Sequence, residues 1–234
     1  MSSNLFESIS PSSAPPPPDE PTLNRYRSLH VLTIFVGVLF ALDVVLLFVN
    51  QAILAVLHGH DPGALLGQDP IDGTSGLLII LMVLASFGYM FVYVIGGVLF
   101  FWWLVRASRN ARAMGARNME FSPAWTVGCF FVPILNFFKP YEAVVELYDV
   151  SDPDISGELW GSTERPWTLL AWWLSWIAFG LGTYVGLLYE PGGVAALFPP
   201  VTGAVSAPLA LAVLTSIGRR QAERYRRLSA IGTP

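Results

Sequence analysis

Apolar residues run through this chain in long, nearly charge-free stretches: Leu29 to Leu57, Leu77 to Val105, Trp167 to Tyr189 and Val194 to Ile217, each bounded by polar or Gly/Pro-rich connections. A bilayer core about 30 Å thick calls for roughly 20 apolar residues in a helix, so each stretch predicts a membrane-spanning helix. A fifth, Phe121 to Phe138, is shorter. It opens on the helix-start pair Ser122-Pro123 and is interrupted by Gly128, Pro133 and Asn136, a pattern that predicts a broken re-entrant or interfacial segment. After Pro140, the spacing of Tyr141, Val144, Val145 and Tyr148 makes one helical stripe, with Glu142, Glu146 and Asp149 on the other side. An amphipathic surface helix is expected over 140–150, its acidic face solvated.

The positive charges decide the number of spans. If Phe121 to Phe138 does not cross, all 13 Lys and Arg fall on one face of the membrane. If it does cross, Arg25, Arg27, Arg106, Arg109, Arg112 and Arg117 lie on one side, and Lys139, Arg165 and the tail arginines on the other. Lys and Arg near span ends prefer the cytoplasmic side, so the expected fold is an all-α integral membrane protein. It has four transmembrane helices plus the broken segment, with both chain ends cytoplasmic. The organisation expected is a Pro/Ser-rich disordered stretch over 1–24, a membrane domain over 25–218 and a basic tail over 219–234.

Composition supports lipid as the solvent: 53% of the 234 residues are hydrophobic and 13% are charged, where soluble domains carry about 25% charged residues. The net charge of −4 conceals the segregation of the arginines into clusters. One cysteine, Cys129, excludes an internal disulfide. The first apolar stretch begins near Leu29 and is long, so it is expected to stay as a helix rather than to serve as a cleaved signal.

The residues Trp102-Trp103, Arg106 and Asn110, then F-S-P-A-W (Phe121 to Trp125) and V-P-I-L-N-F-F-K-P-Y-E-A (Val132 to Ala143), resemble a family of bacterial membrane proteins described only as a domain of unknown function. Asp152-Pro153 and Trp172-Trp173 are in keeping, and the similarity runs from about Leu29 to Leu228. The resemblance implies the bacterial cytoplasmic membrane. It supplies no catalytic or binding residue.

Candidate chemistry therefore comes from the residues themselves. Asp43 is the one charged residue deep inside a span, and an aspartate at the bilayer centre costs about 2.5–3.5 kcal/mol on insertion scales. It should face the bundle and find donors among Tyr89, Tyr93, Ser175, Trp176 or Ser206; the readings are a proton or cation site, or a hydrogen-bonded packing contact, the latter preferred. In the broken segment, Trp125, Asn136, Lys139 and Tyr141 could line a pathway, or the segment could wedge the bundle with Lys139 reaching water. The tail arginines Arg219, Arg220, Arg224, Arg226 and Arg227 suit an anionic leaflet. Asp152 and Asp154 open a stretch like half of a calcium loop, but the twelfth position is Thr163 rather than glutamate, so an acidic turn is the better reading. His58, His60 and Asp61 could meet a transition metal, although an unliganded polar loop explains them as well. Gly182-x-x-x-Gly186 predicts a close helix approach, and Pro208 a kink in the last span.

No zinc-protease helix, aspartyl pair or intramembrane histidine is present, which argues against an enzyme, and no cofactor is expected. The short basic tail lacks a nucleic-acid reading module. Two readings remain. The first is an accessory, scaffold or envelope-associated protein engaging a protein partner or anionic lipid on the cytoplasmic face. The second is a small transporter or channel using Asp43 and the broken segment, for which four spans without an internal repeat would call for a homo-oligomer.

Overall fold

The computed structural model describes residues 22–60, 73–154, 164–188 and 197–231, and every regular element among them is helical. Helices α1 (His30–His60), α2 (Gly73–Ala113), α5 (Trp167–Leu188) and α6 (Phe198–Ile231) coincide with the long apolar stretches. Between α2 and α5 lie the short α3 (Trp125–Gly128), 3-10 turns at Cys129–Phe131 and Leu135–Phe137, and α4 (Lys139–Val150). The expected disordered stretch up to residue 21, most of the 58–76 loop, the 190–193 loop and the 155–163 half of the acidic turn lie outside the described residues.

The long helices outrun their apolar stretches. α2 continues past Val105 to Ala113, and α6 continues past Ile217 to Ile231. Both extensions are rich in Arg and Ala, and that of α6 adds Gln221 and Glu223, good helix formers whatever the solvent. The expected basic tail is thus the last part of α6. Among the described residues, α1, α2 and α6 are long and apolar enough to cross a membrane. α5 has 22 residues, about 33 Å of helix. Large apolar side chains stand outward, Phe87 being 71% and Phe91 67% exposed. So much exposed apolar surface requires a non-aqueous neighbour.

α1 packs along α2 and α6, and α6 along α5, giving an arc in the order α2, α1, α6, α5. Small residues set its closest approaches. A Cβ on Gly37 would stand 2.9 Å from Leu211, and one on Gly182 would fall 2.2 Å from the Phe198 ring. The ends of the arc, α2 and α5, meet directly at Phe100 and Trp172, 6.4 Å apart, and through Phe130, whose ring lies 5.2 Å from Phe101 and 6.0 Å from Trp176.

Phe130 is carried by a hairpin. Ser122 Oγ accepts the Trp125 N–H at 3.1 Å, with Pro123 just inside the turn, so the helix-start pair works as its chemistry dictates. Val132 is extended at φ −95° and ψ 113°, as the residue before Pro133 should be, and the short turns end there. The chain then returns to Lys139, which reaches Glu120 at 3.0 Å and lies 5.5 Å from the centre of the Phe121 ring. The hairpin therefore begins and ends in one place. Its tip contacts Phe100 and Phe101, about 15 Å along α2 from Asn110.

α2 itself stops by a Schellman motif. The Ala116 N–H donates to Ala111 O and the Gly115 N–H to Arg112 O, both at 3.0 Å, with Gly115 at φ 86°. Ala111 and Ala116 pack together against Val150, the apolar contact that accompanies this motif.

Just before that stop, Asn110 ties several elements together. Its Oδ1 accepts the Arg27 N–H at 3.0 Å, and its Nδ2 donates to Arg27 O at 2.8 Å and to Gln221 Oε1 at 3.2 Å. Gln221 Nε2 in turn donates to Ala107 O at 3.0 Å and Ser151 Oγ at 3.1 Å. The approach to α1, the end of α2, the end of α4 and the middle of α6 thus meet at one end of the bundle.

The expected surface helix is instead enclosed. Ala143 to Val150 of α4 are all buried, including Glu146 and Asp149. Of the acidic side, Glu142 stays exposed, but Glu146 and Asp149 do not, because Glu146 accepts the N–H groups of Glu120 and Phe121, and Asp149 accepts Arg165 at 2.8 Å. Partners distant in sequence supply what water would have supplied, except at Asp149 Oδ1, which is buried without a hydrogen-bond partner.

Asn110→Ala strands the part-buried backbone groups of Arg27 and the buried Gln221 amide that it served, and an unsatisfied buried polar group costs about 1–3 kcal/mol. Thermal unfolding in detergent should show a clear drop in Tm, whereas Asn24→Ala, at an exposed position, should leave it unchanged.

Candidate functional site

A cleft of about 680 Å³ occupies the space that the arc leaves between α2 and α5, above the Phe130 wedge. Each long helix contributes to it: Phe40 and Asp43 from α1, Tyr93, Phe100 and Phe101 from α2, Trp172 and Trp176 from α5, and Ser206 and Ala210 from α6. The hairpin adds Phe130, Phe131 and Asn136. On the rim, Val94, Val98 and Phe131 are 54%, 59% and 69% exposed. The opening is therefore sideways, through the same apolar surface that the exposed phenylalanines share.

The walls are aromatic and the polar groups few. Asp43 Oδ1 and Asn136 Oδ1 are both buried with no hydrogen-bond partner. No Lys, Arg or His lines the cleft among the described residues. Buried polar atoms are nearly always paired in native proteins, so two orphaned oxygens on one cavity mark a place where a ligand or water completes the bonding.

The cleft gathers Asp43, Tyr93, Trp176, Ser206 and Asn136 from the sequence-derived candidates. Others lie elsewhere. Tyr89 stands behind the wall, its ring 5.9 Å from that of Tyr93, and Ser175 Oγ donates to Trp172 O at 2.8 Å. Lys139 is paired with Glu120 and Glu142, Trp125 is 43% exposed, and Tyr141 packs at the edge of the core.

The tail arginines are largely engaged within the chain. Arg220 pairs with Asp152, donates to Tyr148 Oη at 3.0 Å and stacks 4.1 Å from the centre of that ring. Arg224 is buried and donates to the carbonyls of Val150 and Met114, at the ends of α4 and α2, where helix carbonyls gather negative potential. Arg226 and Arg227 pair with Glu223, and Arg227 also with Asp154. Arg219 is exposed, on a shallower groove of about 570 Å³ along α6 that includes Pro208, Leu211, Thr215 and Ser216.

Among the described residues, no three His, Cys, Asp or Glu side chains gather to hold a metal. His58 is exposed, while the side chain of His60 and all of Asp61 lie outside the described residues. Asp152 and Asp154, read as half of a calcium loop, face Arg220 and Arg227.

Two ionisable groups at the polar end are displaced from their ordinary behaviour. Burial pushes the Glu146 carboxyl above the usual range, partly opposed by the N–H groups of Glu120 and Phe121. Burial lowers the Arg224 guanidinium, with Asp152 acting in the opposite sense.

A family model described as Domain of unknown function (DUF4328) matches residues 73–219. The chain belongs to this family. The DUF4328 match takes in α2, the hairpin, α4, α5 and α6 as far as Arg219. It starts well after Leu29, so α1 and Asp43 lie outside the matched range while Asn136, Trp172, Trp176 and Ser206 lie within it. Searches of curated proteins and of solved structures return no match.

The sequence-derived candidates did not include Gln221 or Phe130 as organising residues, nor Phe40, Phe100 and Trp172 as cleft walls. For Gln221 a signal existed. Leu214, Ile217, Gln221 and Arg224 continue one helical face, so the apolar stripe of α6 runs on into polar residues that are themselves buried.

Because the native state holds the Glu146 proton more tightly than an unfolded chain does, its contribution to stability is fully present below pH about 4.5, the ordinary glutamate value. It is lost as pH rises through the raised native value. Glu146→Gln removes this titration, so the Tm difference between wild type and variant should change across that window and be flat above it. A difference independent of pH would show that Glu146 does not titrate in this way.

Proposed function

We propose that this DUF4328 protein is a multi-pass protein of the bacterial cytoplasmic membrane that binds a small, largely apolar molecule in the cleft between α2 and α5, in the manner of a carrier or transporter. In this reading α1, α2, α5 and α6 all span, and the 121–138 hairpin enters and leaves on the cytoplasmic side. Support for that topology comes from the polar end of the bundle. Arg27, Asn110, Gln221 and Ser151 form one run of hydrogen bonds there, and Arg165 on Asp149 and Arg220 on Asp152 bond to the same end of α4, so the basic ends of all four long helices share one side. Lys and Arg favour the cytoplasmic side of such a bundle.

The observation that carries the function is the conjunction in one cavity of aromatic walls and two orphaned oxygens, with its rim facing where acyl chains would lie. Ligand sites combine an apolar lining with a few placed polar groups in this way. Broken helical segments at membrane depth are tolerated where they line such a cavity. Among the described residues, no hydrogen bond joins a nucleophile to a base at the cleft, where Ser206 and Asp43 are both present without a bond between them, which favours binding over catalysis.

A second reading has its own observation. The α6 groove places Leu211 and Pro208 below the hydroxyl-bearing Thr215 and Ser216 and the exposed Arg219. That order suits the acyl chain and head group of an anionic phospholipid, and it keeps contact with the lipid surface as an accessory role.

Binding is tested in phosphatidylcholine nanodiscs with the neutral fluorophore N-phenyl-1-naphthylamine, whose occupancy should quench Trp172 and Trp176 saturably. Ala210→Trp fills the cleft and should weaken binding at least about tenfold, about 1.4 kcal/mol. Uptake equal to that of empty nanodiscs would sink the reading. For topology, in a Cys129→Ser background, a cysteine replacing Glu164 should react with an impermeant maleimide only from the cytoplasmic side, and one replacing His58 only from the outside. Labelling of both from one side would refute four spans.

A further inference from the structure

We propose that the occupant of the cleft is a lipophilic organic cation, an ammonium, phosphonium or pyridinium carrying aromatic or alkyl groups; this rests on the reading of the cleft as a ligand site. The argument begins with charge. Asp43 is the one acidic side chain on the cavity among the described residues, and its Oδ1 is enclosed without a partner. A carboxylate removed from water needs a cation or a proton. Among the described residues, no Lys, Arg or His stands there. Its described Lys and Arg side chains stand at the polar end, at or beyond Arg106 on α2 and Arg219 on α6, while Asp43 lies half-way along α1.

The second observation is the kind of surface that faces Asp43. Phe40, Tyr93, Phe100, Phe130, Trp172 and Trp176 bring aromatic rings to the cavity from four separate segments. Aromatic rings present negative faces, and a desolvated cation within about 6 Å of a ring centre is attracted to it. Tryptophan and tyrosine are good partners, and rings on several sides form a cage that suits a delocalised or fully substituted cation. Asn136 adds a third element. Its orphaned Oδ1 is an acceptor at the hairpin side of the cavity, so the unmatched polar atoms supplied by Asp43 and Asn136 are both oxygens. An anion would find no donor side chain of positive charge here, and a neutral hydrocarbon would leave both oxygens unmatched.

The side opening completes the picture. Val94, Val98 and Phe131 form an apolar rim, which admits a molecule already dissolved in the bilayer and excludes a strongly hydrated ion such as sodium. Charge inside and grease at the entrance together select a cation that carries its own hydrophobic shell.

Tetraphenylphosphonium and tetraphenylborate have the same shape and opposite charge, which makes the test direct. Full-length protein in phosphatidylcholine nanodiscs is titrated with each ion by equilibrium dialysis, with empty nanodiscs subtracted. The expected result is saturable binding of tetraphenylphosphonium and none of tetraphenylborate. Asp43→Asn should weaken the phosphonium at least tenfold, Asp43→Glu should retain it, and Trp176→Leu should weaken it several-fold. The comparison of the two ions on wild-type protein needs no variant, so a folding defect in Asp43→Asn leaves the test intact. Equal binding of both ions, or undiminished phosphonium binding by a folded Asp43→Asn protein, would overturn the cation assignment. So would binding of the neutral naphthylamine without the phosphonium, which leaves the cleft as a ligand site. Saturable binding of none of the three probes would overturn both the cation assignment and the ligand site.

Discussion

The side chain of Asn110 is where this structure is tied together. In a bundle whose long helices expose mostly apolar side chains beyond its polar end, the hydrophobic effect alone gives little direction to helix packing, since lipid tails solvate leucine as well as another helix does. Direction has to come from groups with few acceptable partners. Asn110 joins the approach to α1 and the face of α6, and through Gln221 it reaches the end of α4. A buried amide must use its donors and acceptors. Its placement therefore sets the rotation of α2 and α6 about their axes and the height at which α4 docks.

Pinning the helices at one end has a consequence at mid-depth. The arc α2, α1, α6, α5 is closed at its polar end by α4 and the loop after α2, while above that level α2 and α5 meet through Phe100 and Trp172, with Phe130 of the hairpin packed against Phe100 and Trp176. The hairpin cannot be a regular helix there, because Pro133 lacks an N–H and forces Val132 into an extended shape. A broken element leaves space that a continuous helix would have filled. The cleft is that space, and its aromatic lining follows from rings that reach across a gap aliphatic side chains would leave open.

The arginines illustrate how little a charge pattern says about contacts. Arg224 serves two helix C-termini and Arg220 stacks on Tyr148 while pairing with Asp152, so the tail that sequence alone offers to lipid is in good part a structural clasp. Arg219 remains outward beside a groove. Neighbouring residues on α6 thus have opposite roles, decided by 100° of helix rotation per residue.

The sequence by itself determined the helices and their solvent. Apolar stretches of bilayer length locate α1, α2, α5 and α6, Ser122-Pro123 and Pro133 locate the broken hairpin, and the grouping of the arginines implies a bundle with one polar end. These are local properties, read from composition and period. The tertiary structure alone decided that Glu146 and Asp149 are buried, that Gln221 belongs to the core, and that Asp43, Asn136 and Trp176 face one cavity. Each of these depends on which residue from a distant segment arrives opposite. A carboxylate on an amphipathic helix looks the same in sequence whether water or the N–H groups of Glu120 and Phe121 will satisfy it, and only packing chooses between them.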